Sequence, residues 1–242
     1  MDAGGDDRRD AREHGPPDGR VAAEAVTTRR VTSPDGTALP IRIARGARDT
    51  ATLVLAHGAG TGMGHPSLVR VQDGLAARGT TVVTFDFPYR ARGRGAPDRM
   101  PVLVAAFEAV LAAVRGEVPE RLFLGGRSMG GRVASHVVAG GTSVGGLVFL
   151  GFPLHPPGKP GTSRADHLAA IQAPMLFVQG TRDTFARPDL LATVLAGLPS
   201  ATLHAIPEAD HGFHVPKRTG RTDAQVIDEV VATVAEWIAQ RP

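Results

Sequence analysis

Residues 121–131 read Arg121-Leu122-Phe123-Leu124-Gly125-Gly126-Arg127-Ser128-Met129-Gly130-Gly131, and this stretch decides the fold. Its first four residues, RLFL, are too short and too continuously apolar for an amphipathic helix and suit a buried strand. Directly after them Gly126-Arg127-Ser128-Met129-Gly130 spells G-x-S-x-G, and a helical stretch then runs to Gly140-Gly141. The spacing has a physical reason. A serine held on a tight strand-to-helix turn needs a strained backbone, and its neighbours two places away must lack a Cβ for the chain to pass. Such a turn lifts the Ser128 hydroxyl above the carboxyl edge of a sheet. It also aims the Met129 N–H and the helix N-terminus at the space beside that hydroxyl. The bland alternative is a Gly-rich turn with an idle serine, and the strand–turn–helix setting weighs against it.

Working outward, similar runs recur along the chain: Thr52–Ala56 (TLVLA), Thr81–Phe85 (TVVTF), Leu147–Leu150 (LVFL), Met175–Gln179 (MLFVQ) and Thr202–Ile206 (TLHAI). Short continuous apolar runs belong to a sheet covered on both faces, hence a parallel one. Helix-length segments separate them. Ser67–Ala77 closes at Gly79 and Pro101–Val114 at Gly116, each glycine serving as a C-cap. The last helix opens with a capping box from Thr222 to Gln225 and sets Val226, Val230, Val234, Trp237 and Ile238 on one stripe. Earlier, Pro34-Asp35-Gly36 lies between two weakly apolar runs in Val31–Ala44, which predicts a hairpin. The alternation predicts an α/β fold with a doubly wound, mostly parallel sheet flanked by helices.

Composition narrows the chemistry. The chain has 242 residues, 42% of them hydrophobic, enough for a substantial core. It has no Cys, which removes disulfides, thiolate-bound zinc and a thiol nucleophile together. No apolar run approaches the roughly 18 residues of a membrane span. Residues 1–25 are charged and bear Gly and Pro, so a disordered tail is expected there, with one domain over 26–242. That tail has no apolar leader, and with the lack of Cys it points to the cytoplasm. The formal charge of +3 comes from 27 basic against 24 acidic residues, with no dense basic run, so nucleic acid is not an expected partner.

The remaining catalytic candidates follow from the ends of the other strands. TLVLA runs into His57-Gly58-Ala59-Gly60, where a loop N–H would complete an oxyanion hole; Ala59 and Met129 are the two assigned donors. His57 reads as structural, holding that loop. Asp183 follows MLFVQ and could bond the far nitrogen of a histidine; Asp86, after TVVTF, is the rival. The base should come last, which leaves His204, His211 and His214. His204 lies within a strand, so His211, in Glu208-Ala209-Asp210-His211-Gly212-Phe213, is preferred, with His214 as alternative. A metal pair His211-x-x-His214 lacks a third ligand, so no metal is expected.

The ordered set HGAG, GRSMGG, GTRD and ADHGF resembles the α/β-hydrolase superfamily, and within it the dienelactone-hydrolase-like division. The longer strings LAHGAGTGMGHP, FDFPYRARGRGAPDR, LGGRSMGGRVAS and FPLHPPGKP resemble a branch of small capless hydrolase-like proteins. That branch also contributes a domain to a scaffold subunit of a eukaryotic histone-acetyltransferase complex. The resemblance covers Val31 to Ile238 and implies Ser128, Asp183 and His211 as a triad. Dienelactone hydrolases use a cysteine nucleophile where this chain has Ser128, so their substrate is not carried over.

For substrate, only Gly151–Ser163 follows LVFL before the next helix, too short for a cap, and its His155-Pro156-Pro157 loop could wall an open site. Arg90, Arg92, Arg94 and Arg99 follow the TVVTF strand, and Arg127 and Arg132 flank the serine. They are either solvated loop arginines, with Asp98 as partner, or forks for an anionic group. Arg90, Arg92, Arg127 and His155 are the substrate-binding candidates. The expected activity is a serine hydrolase cleaving a small ester or thioester, an anionic one where those arginines act as forks, through an acyl-enzyme and without a cofactor. The alternative is a hydrolase-fold interaction module with weak or no turnover. The intact set of triad candidates argues against it.

Overall fold

The computed structural model describes Met1, residues 26–48 and residues 50–241; the expectation for a tail over 1–25 lies outside the described residues. The strands are β1 (Val26–Thr32), β2 (Ala38–Ala44), β3 (Thr52–Ala56), β4 (Thr81–Phe85), β5 (Leu122–Arg127), β6 (Gly146–Leu150), β7 (Met175–Gly180) and β8 (Ala201–Ile206). They form one sheet in the order β1-β2-β4-β3-β5-β6-β7-β8. β2 runs antiparallel to β1 and β4, and every pairing from β4 to β8 is parallel.

The continuous apolar runs have the explanation given by strand geometry: successive side chains point to opposite faces, and both faces are covered. Val54, Leu124, Phe149 and Phe177 enter one core with helices α3 (Met100–Val114), α4 (Met129–Ala139) and α5 (Pro188–Ala196). Leu53, Leu55, Phe123, Val148 and Val178 enter the other, under α1 (Pro66–Ala76) and α6 (Asp223–Ala239). Burying each such side chain fully stabilises the fold by about 1.5–3 kcal/mol. A short helix α2 (Pro88–Ala91) and a 3-10 segment at Ser163–Ala170 complete the connections.

α6 begins with the capping box, Thr222 Oγ1 accepting from Gln225 N–H and Gln225 Oε1 from Thr222 N–H. Two boundaries differ from the sequence reading. β1 begins at Val26, five residues before the expected apolar run, because it is an exposed edge strand joined to β2 by backbone hydrogen bonds, with little apolar pattern. β5 continues past Leu124 through Gly125, Gly126 and Arg127, two glycines whose propensity says the opposite, since β3 and β6 pair with them. Between β6 and Ser163 the chain carries no helical cap, so the carboxyl ends of β3, β5, β6 and β7 stay open.

Candidate active site

Ser128 is the N-cap of α4, at φ 50° and ψ −113°. For a non-glycine residue such a backbone costs on the order of 1–3 kcal/mol and persists only where its surroundings over-determine it. Here they do. A Cβ on Gly126 would lie 2.3 Å from the Gly130 carbonyl carbon, and one on Gly130 would lie 2.4 Å from the Ala56 oxygen, so strand and helix approach more closely than any side chain permits. Ser128 N–H donates to Leu150 O at 3.0 Å, tying the turn to β6.

Asp183 stands in the turn after β7, its carboxylate fully buried. It accepts from Phe185 N–H at 2.7 Å and from the Gln179 amide at 2.5 Å. Its third contact is His211 Nδ1 at 2.7 Å, and His211 Nε2 lies 2.8 Å from Ser128 Oγ. With the Nδ1 proton donated to a carboxylate, Nε2 presents its lone pair to the serine hydroxyl, the tautomer a general base needs. The His211 side chain is 18% exposed, open on one side only. Phe185 stacks on it with ring centroids 4.2 Å apart. Asp210 braces the loop by accepting from Gly212 and His214 N–H groups.

A cavity of about 320 Å³ opens over these groups, bordered by Gly58, Ala59, Leu68, Ser128, Phe185 and His211. On its far side His57 is almost fully buried, and burial pushes its pKa down, so the ring is neutral. Its Nε2 accepts from Phe87 N–H at 3.1 Å, which leaves Nδ1 to donate to Gly58 O at 2.8 Å. Thr61 Oγ1 donates to the same carbonyl at 2.9 Å, and Tyr89 OH reaches it at 3.4 Å. The Gly58 C=O and the Ala59 N–H belong to one trans peptide and point in opposite directions. Pinning the carbonyl on the His57 side therefore fixes the N–H facing the other way.

The other sequence candidates are dispersed. Arg92 pairs with Asp35 at 2.8 Å and Asp98 at 3.1 Å, which ties its loop to the β1–β2 turn. Arg90 lies beside Asp86 and Gly62, and neither Arg90 nor Arg92 borders the cavity. His155 is buried behind Phe185, bonding Pro156 O and accepting from Arg187 N–H. Arg127 reaches the cavity wall, but its guanidinium turns inward to Leu150 O and His211 O. Asp86 accepts from Met63 N–H, His204 pairs with Glu229, and His214 with Asp223. Sequence reasoning missed Gln179 and Phe185. A polar residue closing an apolar strand and an aromatic two places after Asp183 were the available signals. Among the described residues no three His, Asp or Glu side chains converge as a metal site requires. No described helix is long and apolar enough to cross a membrane.

The sheet order, the strained strand-to-helix turn at Ser128 and the open carboxyl edge define an α/β-hydrolase fold without a lid. Residues 49–239 match the alpha/beta hydrolase domain family, and the chain belongs to it. The fold is similar to that of a lidless α/β serine hydrolase from Xanthomonas campestris, at 22% identity and TM-score 0.68, covering 90% of this chain and 98% of that one. Dienelactone hydrolase from Anabaena variabilis is similar at 19% identity and TM-score 0.72, covering 91% and 99%. An esterase from Pyrococcus furiosus is similar at 18% identity and TM-score 0.72, covering 90% and 93%.

Proposed function

We propose that this protein is a serine hydrolase that cleaves a small ester or thioester through an acyl-enzyme. The observation that carries the reading is the unbroken chain Ser128 Oγ–His211 Nε2 at 2.8 Å and His211 Nδ1–Asp183 at 2.7 Å, bordering a cavity. Ser128 Oγ attacks the acyl carbon while His211 Nε2 takes its proton. As the tetrahedral intermediate collapses, the carbon–oxygen or carbon–sulfur bond breaks and His211 gives that proton to the leaving group. Water then attacks the acyl-Ser128 bond, passing a proton to His211, which returns it to Ser128 as the acid departs.

Asp183 orients the imidazole and stabilises its charged form without taking its proton. The Ala59 and Met129 N–H groups hold the oxyanion. For Ala59 the support is the pinned Gly58 carbonyl; for Met129 it is its place as the first residue of α4, where a helix leaves the N–H without an acceptor of its own. Similarity to esterases and lidless serine hydrolases supports the same class, and the uncapped site suits short acyl groups. The longer motif strings, LAHGAGTGMGHP above all, support kinship with the capless branch that supplies a domain to the histone-acetyltransferase scaffold subunit.

A fluorophosphonate probe tests the reading, because it captures only an activated serine. Peptide mapping should find it on Ser128, and a survey of short acyl esters and thioesters should then show saturable turnover. A protein that takes no probe and turns over none of these esters would remove the hydrolase reading.

A further inference from the structure

The position next to the nucleophile made Arg127 a candidate for gripping substrate, yet its side chain runs beneath the site. One terminal nitrogen donates to Leu150 O at 2.9 Å, the carbonyl that also accepts the Ser128 N–H. The other donates to the backbone oxygen of His211. The guanidinium lies over the Phe213 ring, 5.0 Å from its centroid. Gly151 sits at φ 71°, and a Cβ there would fall 2.5 Å from the terminal nitrogen that bonds Leu150 O and 3.5 Å from His211 Nδ1. The space that a side chain would fill is taken by the arginine. Burial pulls the Arg127 pKa down to about 10, and Asp183 and Asp210 hold it from falling further, so the group stays charged at neutral pH.

The loop that carries His211 has reason to need a clamp. Glu208 and Phe213, on either side of the histidine, both hold positive φ (59° and 63°), a backbone that non-glycine residues keep only under outside constraint. Ser128 has positive φ too, but it stands at the end of a central strand and is tied by its N–H to β6. A planar guanidinium fork can satisfy two carbonyls at once in a set geometry, which an ammonium cannot do.

We propose that Arg127 is a positioning residue: it ties the His211 backbone to the end of β6 and to the nucleophile's own turn, and so sets the Ser128–His211 separation. The inference rests on the reading of Ser128 and His211 as nucleophile and base. It assigns Arg127 no contact with substrate.

The experiment compares the full-length protein with Arg127→Ala and Arg127→Lys, on a short acyl ester and by proton NMR. For Arg127→Ala, kcat should fall about 10- to 100-fold while KM stays within about twofold, the signature of a misplaced base. Ethylguanidine at millimolar concentration should restore part of that kcat in the Ala variant and nothing in the Lys variant. Should the Ala variant fail to fold, the Lys variant carries the test through its own kcat loss at constant KM. The NMR arm follows the downfield proton shared by His211 Nδ1 and Asp183, assigned by its loss in His211→Ala. In Arg127→Ala it should broaden through exchange with water. A raised KM at unchanged kcat, or a sharp proton signal with no loss of kcat, would overturn the proposal. If the wild type takes no fluorophosphonate and turns over no ester, the hydrolase reading fails, and the proton signal alone then decides for or against the clamp.

Discussion

Ser128 and Ser135 lie on the same turn-and-helix unit, and each has a histidine Nε2 within hydrogen-bond distance, His211 at 2.8 Å and His167 at 2.7 Å. By that length alone the two pairs are equivalent. They differ in where the protons sit. Ser135 donates to Arg132 O at 2.8 Å, so it can only accept from His167, whose proton is therefore on Nε2. His211 has the other tautomer, because its Nδ1 donates to the buried Asp183. His136 stacks on the face of His167 with centroids 3.8 Å apart, as Phe185 stacks on His211. The basic neighbours of His167 are His136 and Arg132, where His211 has the Asp183 carboxylate on Nδ1. Ser135 is fully buried in regular helix, whereas Ser128 is strained and borders the cavity. A Ser–His hydrogen bond marks a nucleophile only with access, the right tautomer and a counter-charge.

The sharpest way to break this comparison is to exchange the two serines for alanine. Ser128→Ala should lose fluorophosphonate labelling and about 10⁴–10⁶ in kcat. Ser135→Ala should keep both, and its loss of labelling would invert the assignment. Next in size, Asp183→Asn should cost about 10⁴ in kcat by releasing the tautomer, as steady-state kinetics would show, while His167→Asn leaves kcat unchanged.

A smaller effect separates the histidines by pH. Burial, then His136 and Arg132, pull the His167 pKa from 6.5 to about 4. In the fold it is neutral where the unfolded chain would protonate it. The unfolded state therefore binds more protons between about pH 6.5 and 4, and stability falls as pH drops through that window. His57 and His136 are shifted the same way, so His167→Gln should flatten part of the slope of Tm against pH. An unaltered slope would show that His167 titrates normally. The smallest effect is that of Ser135→Ala on stability, about 1 kcal/mol in urea unfolding for the lost hydrogen bond.

Much of this was legible because the residues concerned punctuate strands. Ser128, Asp183 and His211 each follow a short apolar run, and chain order names the roles they are proposed to fill. What the sequence hid was direction and distance. Arg127 is adjacent to Ser128 along the chain, yet side chains alternate along a strand, and this one points to β6 and the His211 loop instead of the cavity mouth. Arg92 has a local partner in Asp98 that sequence proximity suggests. Its other partner, Asp35, lies across the sheet edge, and no local pattern encodes that. Gln179 and Phe185 escaped notice because the groups they hold, Asp183 and His211, are brought to them by the turn after β7 and by the separate loop after β8. The first residues of β1, before Val31, escaped for the opposite reason: an edge strand satisfies its backbone while leaving its side chains in water.

The packing of α6 on α1 bears on how the chain is made. Val226, Val230, Val231 and Val234 of α6 share a core with Leu68, Val71 and Leu75 of α1, and Arg70 closes the seam on Asp228. α1 precedes the turn at Ser128, whereas α6 follows β8 and so leaves the ribosome after every strand of the sheet it covers. At roughly 5–20 residues per second, α1 and the sheet face beneath it wait many seconds for their cover. Throughout synthesis that nascent surface is sticky and His211 is not yet docked. The α1–α6 seam should therefore close only once α6 has emerged.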